Sequence, residues 1–113
     1  PGMITLVLKK KSILSDDFTA GYDTIGIRIP DDPFVLKLLK EVVPMLVTSA
    51  NISGQETLLN DQEVYKQFKG KIKMIVKGEC KSTLASTVIK VDEDVTILRQ
   101  GCIQEEEIRE VLK

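Results

Sequence analysis

Apolar residues along this chain recur at two spacings, every second position in short runs and every third or fourth in longer ones. Ile4-Thr5-Leu6-Val7-Leu8 is β-branched and apolar, predicting a strand that runs into the basic triplet Lys9-Lys10-Lys11. Thr24-Ile25-Gly26-Ile27-Arg28-Ile29 alternates strictly, so the isoleucines are expected to make one buried face and Thr24, Gly26 and Arg28 share the other, until Pro30 ends the run. Asp31 or Asp32 then caps a helix with Pro33 in its first turn. Phe34, Leu36, Leu38, Leu39, Val42 and Val43 follow at near-helical spacing, which predicts a helix facing a core, and Pro44 stops it.

Residues 45–48 predict a strand that breaks at once into the polar loop Ser49-Ala50-Asn51-Ile52-Ser53-Gly54. Asn60 or Asp61 caps a short helix carrying Val64, Tyr65 and Phe68, and Gly70 closes it. Residues 72–76 and 85–91 predict further strands, and Asp92-Glu93-Asp94 turns the second of these back into a strand at 95–98. Residues 104–112 form an acidic-to-basic helix whose charges suit the helix dipole. About six strands thus interleave with about three helices, without internal repeat. The tight connection at 92–94 demands a hairpin, so the expected class is α/β with a mixed, twisted sheet.

At 113 residues the chain reads as a single domain, 1–113, near the lower end of size for a nucleotide enzyme. Its opening on Pro1-Gly2, with the first methionine at position 3 and a strand immediately after, predicts a fragment or a processed product. Sixteen basic and seventeen acidic residues give a net charge of −1, which supplies no global field for nucleic acid or an anionic membrane. There is no apolar run of membrane-spanning length and no leader pattern, so the expected location is cytoplasmic, with no membrane partner.

The chain has no histidine, and its two cysteines, Cys80 and Cys102, lie far apart. A zinc site and a Cys/His dyad are thereby excluded. A general base would have to be a carboxylate, a lysine or the substrate itself, which favours chemistry by positioning.

Four segments bring polar groups to strand ends: Thr24 with Arg28, Ser49 with Asn51, Ser86 with Thr87, and Arg99 just before Gly101. Two arginines on otherwise apolar strands can grip a carboxylate or phosphate through two parallel N–H bonds, and small hydroxyl residues can complete such an anion site. Ser86-Thr87 also fits plain β-propensity, and Arg28 also fits a surface cation paired with a nearby aspartate.

Five motifs occur in order. Pro1-Gly2-x-x-Thr5, Thr24-x-Gly26-Ile27-Arg28-Ile29-Pro30, Thr48-Ser49-Ala50-Asn51-x-Ser53-Gly54, Ser86-Thr87-Val88 and Leu98-Arg99-x-Gly101 resemble, in order and approximate spacing, the YrdC-like family of threonylcarbamoyl-AMP synthases. The likeness runs over essentially the whole chain and corresponds to the C-terminal half to two-thirds of that domain. It implies a YrdC-like fold and the condensation of L-threonine, bicarbonate and ATP to threonylcarbamoyl-adenylate and pyrophosphate. In the family this product feeds the N6-threonylcarbamoyl modification of adenosine 37 in tRNA.

Carried over by motif, Arg28, Ser49 and Ser86 are expected to bind threonine, and Thr24, Asn51 and Arg99 to bind ATP. No residue is expected as nucleophile; Arg28, Ser49 and Arg99 act by positioning. Mg²⁺ is expected to bridge phosphate oxygens, with no metal ligand supplied by the chain, and tRNA or the tRNA threonylcarbamoyl-transferase machinery is an expected partner.

Three features depart from the family pattern. A basic Lys-x-Arg element that precedes the proline-glycine motif in the family is not in these residues, Ala85 stands where a proline is usual, and so does Gln100. Without the Lys-x-Arg element the 113 residues alone are expected to have little synthase activity, an expectation that pyrophosphate release by this chain would contradict. Two readings stand beside the synthase: an RNA-binding module using Lys9-Lys10-Lys11 and Lys66, Lys69, Lys71 and Lys73, and a non-catalytic scaffold. Steep salt dependence would mark the first.

Overall fold

A computed structural model describes residues 1–113. It divides into two compact units, Pro1–Leu46 with Leu84–Lys113, and Val47–Thr83. The first holds a four-stranded mixed sheet in the order β2-β1-β3-β4, made of β1 (Ile4–Lys9), β2 (Thr24–Ile27), β3 (Thr87–Val91) and β4 (Val95–Arg99). β1 pairs antiparallel with β2 (Leu6 opposite Ile27) and parallel with β3 (Leu6 opposite Ile89), while β3 and β4 form the antiparallel hairpin. At its turn the Asp92 amide donates to the Asp94 carbonyl, and Lys90 bonds Asp92 at 3.0 Å. The lysine hydrogen bond holds the Asp92 carboxyl below its ordinary range.

The pairing decides the faces. Ile4, Leu6, Thr87 and Ile89 share one face of the sheet, and Thr5, Val7, Val88 and Lys90 the other. Ile89 on that first face and Ile108 in α3 (Glu105–Val111) are the buried apolar residues. Thr87 is wholly buried and its hydroxyl is fully used. It donates to the Ile103 carbonyl at 2.7 Å and accepts the Gly101 and Ile103 amides at 3.0 and 3.1 Å. This clasp ties the start of β3 to the segment that leads from β4 into α3.

Gly101 is what lets the segment come so close. A Cβ there would overlap the Ala85 carbonyl oxygen and stand 2.5 Å from the Thr87 nitrogen and 2.6 Å from the Ser86 carbonyl carbon.

Helix α1 (Pro33–Val42) begins as its sequence dictates, with the Asp32 side chain accepting the Val35 amide at 3.0 Å and Pro33 in the first turn. No residue of α1 is fully buried and Phe34 is 54% exposed, so the expected core-facing helix is only half covered. It ends at Val43, whose φ of 74° lies where glycine is at home and a β-branched residue is strained.

In the second unit α2 (Asp61–Phe68) is capped twice: Asn60 Oδ1 accepts the Glu63 amide and Glu63 Oε2 accepts the Leu59 amide, both at 2.9 Å. Gly70 follows with φ 77°. Asn60→Ala should cost about 1 kcal/mol of stability, measured by urea unfolding of the full-length protein.

Two of the six expected strands are not strands. Residues 45–48 and 72–76 carry β-forming side chains, but neither finds a neighbour for its backbone, and Val47 and Met74 are 79% and 78% exposed. Without a ladder partner an extended run has no hydrogen bonds to hold it as a strand. The second unit has instead one isolated bridge, Asn60 with Glu79. No helix is long and apolar enough to cross a membrane.

Candidate functional site

At one end of the sheet, β1 and β3 begin and the antiparallel strands β2 and β4 end. Four of the motif residues lie at this end, and three of them, Thr5, Ser86 and Arg99, are in contact. Thr5 Oγ1 lies 2.8 Å from Ser86 Oγ, which stands just before β3 and is 6% exposed. Arg99, the last residue of β4, donates from Nε and Nη2 to the Ser86 carbonyl at 3.2 and 2.9 Å, and from Nη2 to Ser86 Oγ at 3.3 Å. Arg28, just past β2, reaches over the start of β1, with Nε 3.0 Å from the Gly2 carbonyl and Nη2 2.9 Å from Met3 Sδ.

An irregularity in the sheet aims Arg99. Ile89 pairs with Ile97, yet Val88 pairs with Arg99, so Leu98 is an extra residue on β4. A regular register would set Arg99 opposite Thr87, on the core face. The bulge moves it opposite Val88, on the face of Thr5, as bulges near functional sites commonly do.

Each guanidinium keeps a free edge. Arginine carries five N–H groups, and in both residues the contacts just described occupy the Nε/Nη2 side. The Nη1 protons remain, so Arg28 can fork a carboxylate end-on through Nη1 and Nη2, and Arg99 can offer Nη1 to a phosphate oxygen. Neither is engaged in an ion pair with a carboxylate of the chain. The cluster is therefore a fixed, positively charged and hydroxyl-lined sheet end suited to anions.

It supplies no carboxylate and no imidazole. Nowhere in the chain do three Asp, Glu, Cys or His side chains gather as metal ligands. The cluster itself is built of guanidinium and hydroxyl groups, which are poor ligands for a divalent cation.

Thr24 stands at the other end of β2, opposite Lys9 in the register, and so apart from the cluster. Ser49 and Asn51 belong to the second unit. Ser49 is exposed. Asn51 holds a loop: its Nδ2 donates to the Ile52 and Gln55 carbonyls, each at 3.0 Å, around a turn in which Gly54 has φ 83°. Gln67 of α2 braces the same loop, accepting the Ile52 amide and donating to Gln55 Oε1, both at 3.1 Å. Because the amide nitrogen is fixed by two carbonyl acceptors, Asn51 Oδ1 is identified as the other end, and it is buried without a partner. An acceptor left open needs a donor, so Asn51 suits a hydroxyl or amine of a ligand and not a phosphate.

Sequence reasoning gave no role to Thr5, Gly101 or Gln67. Thr5 sits inside the proline-glycine motif and Gly101 two residues after Arg99 in its motif, which was the available signal; Gln67 carried none. The lysine triplet is also less uniform than it reads, since Lys10 is paired with Asp16 and bonded to Thr19 Oγ1 at 3.1 Å.

Comparison with known proteins gives a consistent result. The Sua5/YciO/YrdC family model, described as telomere recombination, matches residues 1–101. The threonylcarbamoyl-AMP synthases of Pyrococcus abyssi and Bacillus subtilis are each 37% identical over 115 and 116 residues, covering 99% of this chain and 34% of each relative. Among solved structures, P. abyssi Sua5 complexed with L-threonine matches with a TM-score of 0.91 at 36% identity, over 99% of this chain and 34% of that one. Escherichia coli YciO matches with a TM-score of 0.82 at 27% identity, over 95% of this chain and 54% of that one. The chain spans a third to a half of the length of the curated relatives it matches, 34% to 49% for the first three.

Proposed function

The chain belongs to the Sua5/YciO/YrdC family, and on that premise we propose that the full-length protein is an L-threonylcarbamoyladenylate synthase. L-Threonine, bicarbonate and ATP give threonylcarbamoyl-AMP, pyrophosphate and water. The observation that carries the reading is the sheet end itself: an arginine with a free end-on fork, a buried serine and a second arginine pinned to that serine, on a fold that matches Sua5 complexed with L-threonine.

Arg28 and Ser86 take the threonine carboxylate, and hydrogen bonds to a charged group contribute roughly 1.5–3 kcal/mol each. Holding the carboxylate leaves the amine as the reactive group. It captures bicarbonate as a carbamate, the carbamate oxygen attacks the α-phosphorus, and the bond to pyrophosphate breaks. Arg99 Nη1 neutralises phosphate charge as it builds in the transition state.

No nucleophile or histidine of the protein is needed, because the substrates supply both partners and the site supplies orientation. Ser49 as a threonine contact rests on its motif. Asn51 contacts ATP through its open Oδ1, which suits the adenine amine or a ribose hydroxyl. Thr24 lies about 13 Å along β2 from Arg28, within the reach of one nucleotide, and its ATP contact rests on its motif.

Magnesium arrives with ATP as the substrate complex. The cytoplasm is the proposed place of action, and tRNA modification the proposed use of the product.

The test is pyrophosphate release by the full-length protein with each substrate omitted in turn. Release that requires L-threonine, bicarbonate and ATP together is expected. Release independent of threonine, or none, would overturn the assignment.

A further inference from the structure

The Thr5 hydroxyl belongs to the cluster, yet nothing in the proposed reaction uses it. Its Oγ1 lies 2.8 Å from Ser86 Oγ, and Ser86 is the only hydrogen-bond partner the Thr5 side chain has. Ser86 Oγ has a second neighbour, Arg99 Nη2 at 3.3 Å. A serine hydroxyl has one proton and two lone pairs. Arginine can only donate, so Arg99 takes one lone pair.

What Ser86 can offer a ligand then depends on Thr5. If Ser86 donated to Thr5, its proton would be spent, and only a lone pair would face the ligand. If Thr5 donates to Ser86, both lone pairs are filled and the proton is all that remains. The first arrangement makes Ser86 an acceptor, the second an obligatory donor. Donation by Thr5 is also the only way its own proton is bonded.

The surroundings favour the same sense. Arg99 touches Ser86, and Arg28 lies over the start of β1. A ligand drawn to two cations is an anion, and an anion requires donors.

We propose that Thr5 is a positioning residue that, together with Arg99, fixes Ser86 as a hydrogen-bond donor to the carboxylate of the bound amino acid. The chain Thr5 O–H to Ser86 Oγ and Ser86 O–H to carboxylate polarises in one direction, so each bond strengthens the next. This inference rests on the proposed reading that L-threonine binds here.

The experiment measures binding of L-threonine, of L-threoninol, which lacks the carboxylate, and of ATP to full-length wild type, Thr5→Val and Thr5→Ser. Thr5→Val keeps the shape and removes the proton. It should weaken L-threonine by up to about tenfold, the size of the neutral bond that holds Ser86 as a donor, while leaving L-threoninol and ATP within about twofold. Thr5→Ser should restore L-threonine.

A structural role for Thr5 would instead weaken L-threonine and L-threoninol alike, and that result, or full L-threonine affinity in Thr5→Val, overturns the proposal. Thr5→Cys, of similar volume and a weak donor, carries the same expectation should Thr5→Val fail to fold. Absence of L-threonine binding by wild type would instead strike the functional reading on which this one depends.

Discussion

Gly101→Ala is expected to lower the unfolding free energy of the full-length protein by about 3 kcal/mol or more. The added methyl would meet the Ala85 carbonyl oxygen, the Thr87 nitrogen and the Ser86 carbonyl carbon, all backbone atoms that cannot swing away as the tip of a side chain can. To make room, the segment after β4 must retreat from the start of β3. The amides of Gly101 and Ile103 then leave the Thr87 hydroxyl, which is wholly buried and would lose its partners. Ser86 would shift with its neighbour, so the damage reaches ligand binding as well.

Gly78→Ala is the matched control. A Cβ at Gly78 meets nothing within 4 Å, and a change within about 0.5 kcal/mol is expected. Urea unfolding of the two variants side by side decides the matter; equal, small effects would contradict the claim that the backbone leaves no room for a side chain at Gly101.

The second large effect separates the two arginines. Arg28→Ala should weaken L-threonine about 100-fold, the loss of a two-bond carboxylate contact, and leave ATP nearly unchanged. Arg99→Ala should weaken ATP at least tenfold, but not ATP alone. Arg99 also bonds the Ser86 carbonyl and hydroxyl, so its removal frees Ser86 and carries a smaller loss to L-threonine. The expected pattern is therefore lopsided: one variant affects one substrate, the other affects both. Substrate titrations of the two variants test it, and a symmetric pair of small effects would show that the anion site is misassigned.

Local signals were legible where local physics decides. Asp32 and Asn60 announced their helices because a side-chain acceptor beside free backbone amides needs nothing from elsewhere in the chain. The turn at 92–94 was readable as a local turn, but the isoleucine face expected to be buried is not: Ile27 is 46% and Ile29 57% exposed, because what covers a strand's face is set by the rest of the fold. Residues 45–48 and 72–76 read equally well as strands and are not, because a strand exists only by its neighbour and the neighbour is not written in the run itself.

The sheet-end chemistry divides the same way. The motifs pointed to Arg28, Ser86 and Arg99, and the structure brings Ser86 and Arg99 into contact. The extra residue Leu98, which turns Arg99 from the core face to the face of Thr5, depends on cross-strand register and left no mark in the sequence. Nor could residue types alone show that Asn51 has its nitrogen committed and its oxygen open.

The central claim is that the sheet end holds the carboxylate of threonine and so leaves its amine to react. Its most direct test is the mass of the adenylate that full-length protein makes from L-threonine, ATP and ¹³C-bicarbonate. A threonylcarbamoyl-adenylate carrying one ¹³C per molecule is expected, formed in step with pyrophosphate. An unlabelled threonyl-adenylate would mean that the carboxylate itself attacks phosphorus, is not held by Arg28 and Ser86, and that the account is wrong.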